Sequence, residues 1–230
     1  MENLYRIFLL FIIYSFIGWI MEVIVKFVEK KRFINRGFLI GPLCPIYGYG
    51  AILILLLLRP YKRSVILLFF MAILICSFLE YMTSFVMEKL FKTRWWDYSD
   101  VKYNINGRIC LNTMLPFGVL GVVVFFIVNP FIKYLLSFIS YDILKIVAIL
   151  LFAMYLIDNI ITFFIINKYR DSITNIEKDS TEEIVKIREK FMKKGFLYSR
   201  LIKAFPTMKS TKERLVALRN RINRELYKYR

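Results

Sequence analysis

Long runs of apolar residues, each bounded by charged or turn-forming residues, dominate the first three quarters of the chain. A helix needs about 20 such residues to cross the hydrocarbon core of a bilayer, which is about 30 Å thick. The run lengths therefore predict an all-α integral membrane protein, a bundle of about five transmembrane helices. These helices are predicted at residues 4–27, 38–58, 64–87, 111–130 and 143–167.

The first apolar run is too long for the core of a signal peptide and contains Glu22, so we expect it to be retained as a helix. The second run differs from the others because Gly41-Pro42, Pro45 and Gly48-Tyr49-Gly50 interrupt it. Proline removes a backbone donor, and irregular backbone survives at membrane depth only where protein or a wet cavity satisfies it. Residues 38–58 are therefore predicted either to span the membrane as a kinked helix or to re-enter it.

From Lys168 onward the chain is polar, which predicts a transmembrane domain, residues 1–167, followed by a helical cytoplasmic tail, residues 168–230. Two Ser-x-x-Glu capping boxes mark helix starts in this tail. The boxes begin at Ser180 and Ser210 and predict helices over residues 180–194 and 210–227. Two interpretations of the tail stay open: packing on itself and on the cytoplasmic loops, or docking on a lipid surface or a protein partner.

Composition agrees with the apolar pattern, since a mean hydropathy of +0.54 and 58% hydrophobic residues exclude an ordinary soluble domain. The net charge is +17, and residues 168–230 contain 18 Lys and Arg against 8 Asp and Glu. A basic segment that directly follows a membrane helix favours anionic lipid over nucleic acid as a partner. We expect membrane lipids to bind the tail and expect no nucleic acid.

The distribution of basic residues also predicts an orientation in the cell membrane. The loops after the first and third predicted helices are rich in Lys and Arg, whereas the other two loops contain few. The positive-inside rule then places the C-terminus and the loop 94–111 in the cytoplasm and the N-terminus outside.

Histidine is absent from the chain, and Cys44, Cys76 and Cys110 are isolated from one another. This composition excludes His-ligated metal sites and Ser-His or Cys-His catalysis, and it supports neither a disulfide framework nor a zinc site. We expect no metal and no cofactor. An enzyme built on this chain would use carboxylates, Tyr or Lys.

Polar residues recur at intervals of three or four along three of the predicted helices, and they include Glu22, Glu80 and Asp158. An ionisable residue inside a membrane helix costs about 2.5–3.5 kcal/mol on insertion, so each one requires a partner or a purpose. If these stripes face one another, the interior of the bundle is polar. Polar residues also hold helices together without any further role, and that interpretation stays open for each residue.

The loop 94–111, RWWDYSDVKYNINGRICL, is a compact run of Trp, Tyr, Asp, Asn and Arg between long apolar segments. Its Trp and Tyr residues are typical of the membrane interface, Asn106-Gly107 is a strong turn signal, and Arg108 offers a fork of donors for phosphate or carboxylate. We expect this loop to cover the polar interior. The candidate substrate-site residues, with no catalytic role assigned, are Glu22, Glu80, Glu88, Trp95, Asp97, Tyr98, Asn104, Asn106, Arg108 and Asp158.

Several of these residues belong to longer motifs. The motifs are Gly18-Trp19 before Glu22, Asn35-Arg36-Gly37-Phe38-Leu39, Cys44-Pro45-Ile46-Tyr47-Gly48, Leu79-Glu80-Tyr81, Trp95-Trp96-Asp97-Tyr98-Ser99 and residues 104–111. Together they resemble the CmpB-like ABC-transporter permeases, multi-pass membrane proteins of Gram-positive bacteria, over about residues 1–167. The resemblance implies a membrane subunit that works with a separate ATPase. The chain has no G-x-x-x-x-G-K-[ST] run that could bind nucleotide phosphates itself.

Three hypotheses of function follow. The first is a permease-like subunit whose polar intramembrane site, capped by the loop, passes an unknown substrate, with an ATPase or a second copy of the chain as partner. The second is a membrane-embedded enzyme for a lipid-linked or phosphate-bearing substrate, with Glu80 or Glu22 as base and Arg108 holding the anion. The third is a non-catalytic scaffold or sensor whose tail binds lipid or protein.

Overall fold

A computed structural model describes residues 4–174, 181–205 and 209–210. The helices run in the order α1 (Leu4–Lys30), α2 (Pro45–Leu57), α3 (Val65–Phe91), α4 (Leu111–Val123), α5 (Asn129–Ser137), α6 (Tyr141–Thr174), α7 (Thr181–Lys193) and α8 (Phe196–Ala204). Two antiparallel pairs of two-residue strands join β1 (Thr93–Arg94) to β4 (Lys209–Ser210) and β2 (Asn104–Ile105) to β3 (Ile109–Cys110). The predicted all-α fold class is confirmed.

Within the described ranges, four helical segments are long and apolar enough to cross a membrane, and they are Leu4–Lys30, Val65–Phe91, Leu111–Ser137 and Tyr141–Ile173. The third of these is α4 and α5, which a π-helical turn at Val124–Val128 joins into one segment. Local sequence determines both ends of α3. At its start the Ser64 hydroxyl accepts a hydrogen bond from the Leu67 amide, and at its end Lys92 adopts the left-handed conformation. The bundle therefore follows the predicted apolar runs.

The second predicted helix, residues 38–58, does not form a full membrane span, so the bundle has four long spans within the described residues and not five. Its helical part, α2, has 13 residues, which at 1.5 Å per residue is about 20 Å and short of a 30 Å core. Residues 31–44 before it are not helical, and the Cys44 amide donates to the Ser15 carbonyl in the middle of α1 at 2.9 Å. The chain therefore enters the bundle as irregular backbone and becomes helical only beside the middle of α1.

Two glycines allow α2 to approach α1 closely. A Cβ atom on Gly18 would lie 2.3 Å from the Tyr47 ring, and one on Gly48 would lie 2.3 Å from the Ser15 hydroxyl and 2.6 Å from the Phe11 carbonyl. These distances are too short for any side chain, so the contact between the helices requires glycine at both positions.

The irregular backbone of residues 35–41 is satisfied by polar side chains from other elements. Asp158 on α6 accepts hydrogen bonds from the amides of Ile40 and Gly41, each at 2.8 Å. Arg200 on α8 donates to the carbonyls of Gly37 and Leu39. Because unpaired backbone groups are costly in an apolar environment, these contacts are what permits a non-helical segment here.

The described part of the tail packs against the loop end of the bundle. Helix α6 continues to Thr174, beyond the predicted end at 167, and α7 matches the helix predicted at 180–194. The side chains of the first capping box lie outside the described residues, as does the predicted helix 210–227 apart from Ser210, which is in β4. Phe91, Ile166, Leu201 and Phe205 share one buried cluster, so α8 and Phe205 pack on the ends of α3 and α6.

Candidate functional site

A cavity of about 440 Å³ lies inside the bundle, and we call it the central cavity. Side chains of α1, α2, α3, α4 and α6 line it, together with the irregular segment, the loop and the tail. Its polar and aromatic lining residues include Tyr14, Glu22, Arg36, Tyr47, Glu80, Trp95, Trp96, Tyr98, Tyr155, Asn159 and Phe205. The space is thus bounded by residues from nearly the whole length of the chain, and its volume falls within the usual range of ligand pockets.

Glu22 enters the cavity wall from α1 and is already compensated. The Tyr47 hydroxyl donates to one oxygen of this carboxylate at 2.8 Å, and Arg36 Nε lies 3.4 Å from the other. Arg36 also donates to the carbonyl of Ala204 at the end of α8 and lies over the Phe205 ring. Glu22 therefore has a cationic partner, and that partner connects the cavity wall to the tail.

Glu80 enters the wall from α3 and has a different environment. Its side chain is buried, and the hydroxyls of Tyr98 and Thr113 each lie 3.4 Å from one of its oxygens. Both contacts are long for O–H···O hydrogen bonds, and the Thr113 hydroxyl lies closer to the Cys110 carbonyl, at 2.9 Å. No described residue forms an ion pair with Glu80, which leaves this carboxylate without a cation.

Two further polar groups in the cavity wall have no hydrogen-bond partner among the residues that the structure describes. They are the Tyr14 hydroxyl and the Trp95 indole N–H, on side chains only 3% and 2% exposed. Buried polar atoms of this kind are rare in proteins because each one loses its hydrogen bonds to water. The two polar atoms themselves are closed off from the cavity, so only the carbon atoms of these side chains face it.

The loop between α3 and α4 folds on itself through the turn that Asn106-Gly107 predicts. Both residues have positive φ, 53° and 65°, which is the backbone of a tight β-hairpin turn between β2 and β3. The Asn104 side chain accepts from the Gly107 amide at 2.8 Å and donates to the Val101 carbonyl, while the Asn106 amide donates to the Tyr81 hydroxyl. The two asparagines thus hold the loop rather than line the cavity.

Four charged residues form a second group beside the cavity, which we call the loop ion cluster: Glu88, Arg94, Asp97 and Arg108. Arg94 donates to Glu88 through two nitrogens at 3.0 Å, and Arg108 reaches the same carboxylate oxygen at 2.8 Å. Arg94 also lies 3.5 Å from Asp97, and Arg108 donates to the Ser84 hydroxyl at 3.1 Å. The guanidinium of Arg108 therefore faces Glu88 and the α3 helix, not the central cavity.

Burial in the loop also affects Tyr98. Its pKa is raised well above the usual value for tyrosine, first by burial and then by the nearby negative charge of Glu80. The hydroxyl stays protonated at any ordinary pH. It is therefore a permanent hydrogen-bond donor toward Glu80.

The structure divides the ten candidate residues into three groups. Glu22, Glu80, Trp95 and Tyr98 line the central cavity; Glu88, Asp97, Asn104, Asn106 and Arg108 build the loop; and Asp158 holds the irregular backbone. Other lining residues are not among the sequence-predicted candidates, and they include Tyr14, Arg36, Tyr47 and Phe205. Arg36 is part of the motif Asn35–Leu39, and its membership of a long motif is the sequence signal that favours a specific contact.

Comparison with known proteins gives one match. No curated protein and no solved structure matches the chain. The family model ABC_trans_CmpB, described as "Putative ABC-transporter type IV", matches residues 9–163, which include the residues of α1, α2, α3 and α4 in the wall of the central cavity. That match covers more than half of the chain, and the protein belongs to this family of ABC-transporter-type membrane proteins.

Proposed function

We propose that this protein is a permease-like membrane subunit in which the central cavity holds the transported substrate. The observation that carries the proposal is the buried Glu80 carboxylate, which faces the cavity without a cation from any described residue. A buried charge is retained in a membrane bundle when it has a partner or a function. A substrate that supplies the missing contact gives Glu80 that function.

The loop and the end of α8 close the cavity on the side where residues 92–110 lie. Trp95, Trp96, Tyr98 and Phe205 all contribute to the wall there, and Trp95 and Phe205 pack edge to face with ring centroids 5.1 Å apart. The basic residues of this side orient it toward the cytoplasm by the positive-inside rule. A substrate that passes between the cavity and the cytoplasm must therefore move the loop, the tail or both.

The family supports an ATPase as the partner that drives such a movement. The start of the irregular segment 31–44, the loop and the tail meet at one end of the bundle, where Arg36, Arg200 and the β1–β4 pair join them. An ATPase that binds this end would contact the elements that close the cavity. Membrane lipids and a second copy of the chain remain further predicted partners.

The alternative of an enzyme for a phosphate-bearing substrate has less support from the geometry. That hypothesis needs a cation free to hold the anion near Glu80, and the proposed residue was Arg108. Arg108 binds Glu88 and Ser84, and Arg36 in the cavity wall binds Glu22. Both guanidiniums therefore already have carboxylate partners.

Purification from native membranes after mild cross-linking tests the proposed function. We expect an ATP-binding subunit to be recovered with this chain, and we expect proteoliposomes of the complex to accumulate at least one compound from a small-molecule extract of the cells when ATP is added. Glu80→Gln should retain the partner and lose the accumulation. Glu29→Gln is the matched control, because Glu29 is exposed and its partner is Lys26, away from the cavity. Recovery of this chain alone, with no ATP-dependent accumulation, would overturn the proposal.

A further inference from the structure

We propose that the ligand of the central cavity is an amphiphilic organic cation, whose positive group binds Glu80 and whose apolar body fills the rest of the space. This inference rests on the proposed function only in taking the cavity as the substrate site. It names the chemical class that the site would accept.

The charged residues of the cavity wall favour a ligand with a positive charge. The charged residues that line the cavity are Glu22, Arg36 and Glu80, and the first two pair with each other at 3.4 Å. Glu80 remains, with hydroxyl contacts alone among the described residues. An ionised carboxylate buried without a partner is costly, and a ligand cation removes this cost. An anion in the same place would be repelled by Glu80.

Aromatic rings in the wall favour the same charge. Tyr14, Tyr47, Tyr98, Trp95 and Phe117 lie on several sides of the cavity, from α1, α2, the loop and α4. Aromatic faces attract cations, most strongly where water is excluded, and rings around a carboxylate are the usual surroundings for an alkylated ammonium group. The rings also provide the apolar surface that a hydrophobic ligand requires.

The size and lining of the cavity indicate a ligand with an apolar body rather than a small inorganic ion. Tyr14 and Glu22 line it from the same helix, eight residues apart, which is about 12 Å along the helix axis. Ile54, Leu79 and Leu120 line the space as well, so apolar side chains occupy much of the wall. A hydrated inorganic cation would leave this apolar surface exposed to water, whereas an amphiphile would cover it.

A pair of probes with equal shape and opposite charge tests the inference. Tetraphenylphosphonium and tetraphenylborate are added to the purified chain in lipid nanodiscs, and binding to empty nanodiscs is subtracted. We expect saturable binding of tetraphenylphosphonium, and no binding of tetraphenylborate beyond that of the lipid. Glu80→Gln should weaken the phosphonium binding at least tenfold, while the matched control Glu29→Gln should leave it unchanged.

A measurement on the unsubstituted chain keeps the test independent of how well the variants fold. Cys44 and Cys76 line the cavity, whereas Cys110 is not among the lining residues. Tetraphenylphosphonium should therefore slow the alkylation of Cys44 and Cys76 by N-ethylmaleimide and leave Cys110 unaffected. Equal binding of the two probes, undiminished phosphonium binding in Glu80→Gln, or alkylation of Cys44 and Cys76 that does not slow would each overturn the inference.

Failure of this inference is distinguishable from failure of the proposed function. An ATPase that co-purifies with a chain that does not bind tetraphenylphosphonium would leave the permease subunit standing and reject the cationic ligand. Phosphonium binding to a chain with no ATPase partner and no transport would do the reverse.

Discussion

Helix α3 contributes one carboxylate to the central cavity and another to the loop ion cluster. The two carboxylates have different hydrogen-bond and ion-pair partners. In the loop ion cluster, Glu88 accepts hydrogen bonds from Arg94 and lies 2.8 Å from a nitrogen of Arg108. In the cavity, two turns earlier, Glu80 meets two hydroxyls at 3.4 Å. Both side chains are largely buried, so the contrast lies in their partners and not in their exposure.

The two carboxylates therefore differ in whether the described residues supply a positive partner. Glu88 joins two buried guanidiniums and thereby fixes the loop on the end of α3. Glu80 contributes little to the stability of the fold, because its contacts are long and involve neutral hydroxyl groups. A stripe of Ser, Glu, Ser and Glu along one helix thus contains one carboxylate that pairs with two guanidiniums and one that we propose binds the substrate.

The largest expected effect tests the structural half of the comparison. Glu88→Gln removes the negative charge that two buried guanidiniums share, and breaking a buried ion pair costs about 3–5 kcal/mol in free energy of unfolding. Unfolding by sodium dodecyl sulfate in mixed micelles measures this loss. Glu80→Gln, the same substitution two turns away, should change the free energy by no more than about 1 kcal/mol. Equal losses for the two variants would contradict the comparison.

A second prediction concerns Phe205, the tail residue that lines the cavity on the loop side. Phe205→Ala removes a buried ring that packs on Trp95 and Arg36, which should cost about 3 kcal/mol and open the cavity on the loop side. N-ethylmaleimide should then alkylate Cys44 faster in the variant, measured in a background without Cys76 and Cys110. Phe196→Ala is the control because the Phe196 side chain is 77% exposed. Unchanged alkylation of Cys44 in Phe205→Ala would show that the tail does not close the cavity.

A third prediction tests how tightly the loop is built. Gly107 has a φ of 65°, and an added Cβ would lie 2.3 Å from the Ser99 hydroxyl and 2.7 Å from an Asp97 carboxylate oxygen. Gly107→Ala should therefore cost about 1–3 kcal/mol through backbone strain and collision. Gly195→Ala separates the two causes, since Gly195 also has a positive φ but nothing lies within 4 Å of its added Cβ. A loss in Gly107→Ala no greater than that in Gly195→Ala would mean that the loop accommodates the methyl group.

The smallest expected effect sharpens the cavity half of the comparison. Tyr98→Phe removes a long hydrogen bond to Glu80 and should cost about 1 kcal/mol or less. Because the pKa of Tyr98 is raised in the folded protein, the unfolded chain ionises first, and the contribution of Tyr98 to stability is lost as pH rises above about 10. Thermal unfolding in nanodiscs should show a shallower fall above this pH for Tyr98→Phe. A steeper fall would contradict the assignment.

The long helices of the bundle and the turn of the loop could be predicted from local sequence patterns. The four long segments follow from the lengths of apolar runs, since hydrophobic length is a local property that no distant contact alters. Asn106-Gly107 determined the hairpin for the same reason, because positive φ at two successive residues is a preference of these residue types.

The pairing of the polar residues could not be predicted from local patterns, because it depends on how the helices pack. Arg36 is one of several basic residues in its loop, and nothing in its local pattern selects Glu22 and the carbonyl of Ala204 as its partners. Asp158 resembles Glu80 as an acidic residue in a predicted helix, yet it caps two backbone amides of a segment more than 100 residues away. The proximity of such groups is set by the packing of whole helices, so the same kind of residue becomes structural in one place and remains available to a ligand in the other.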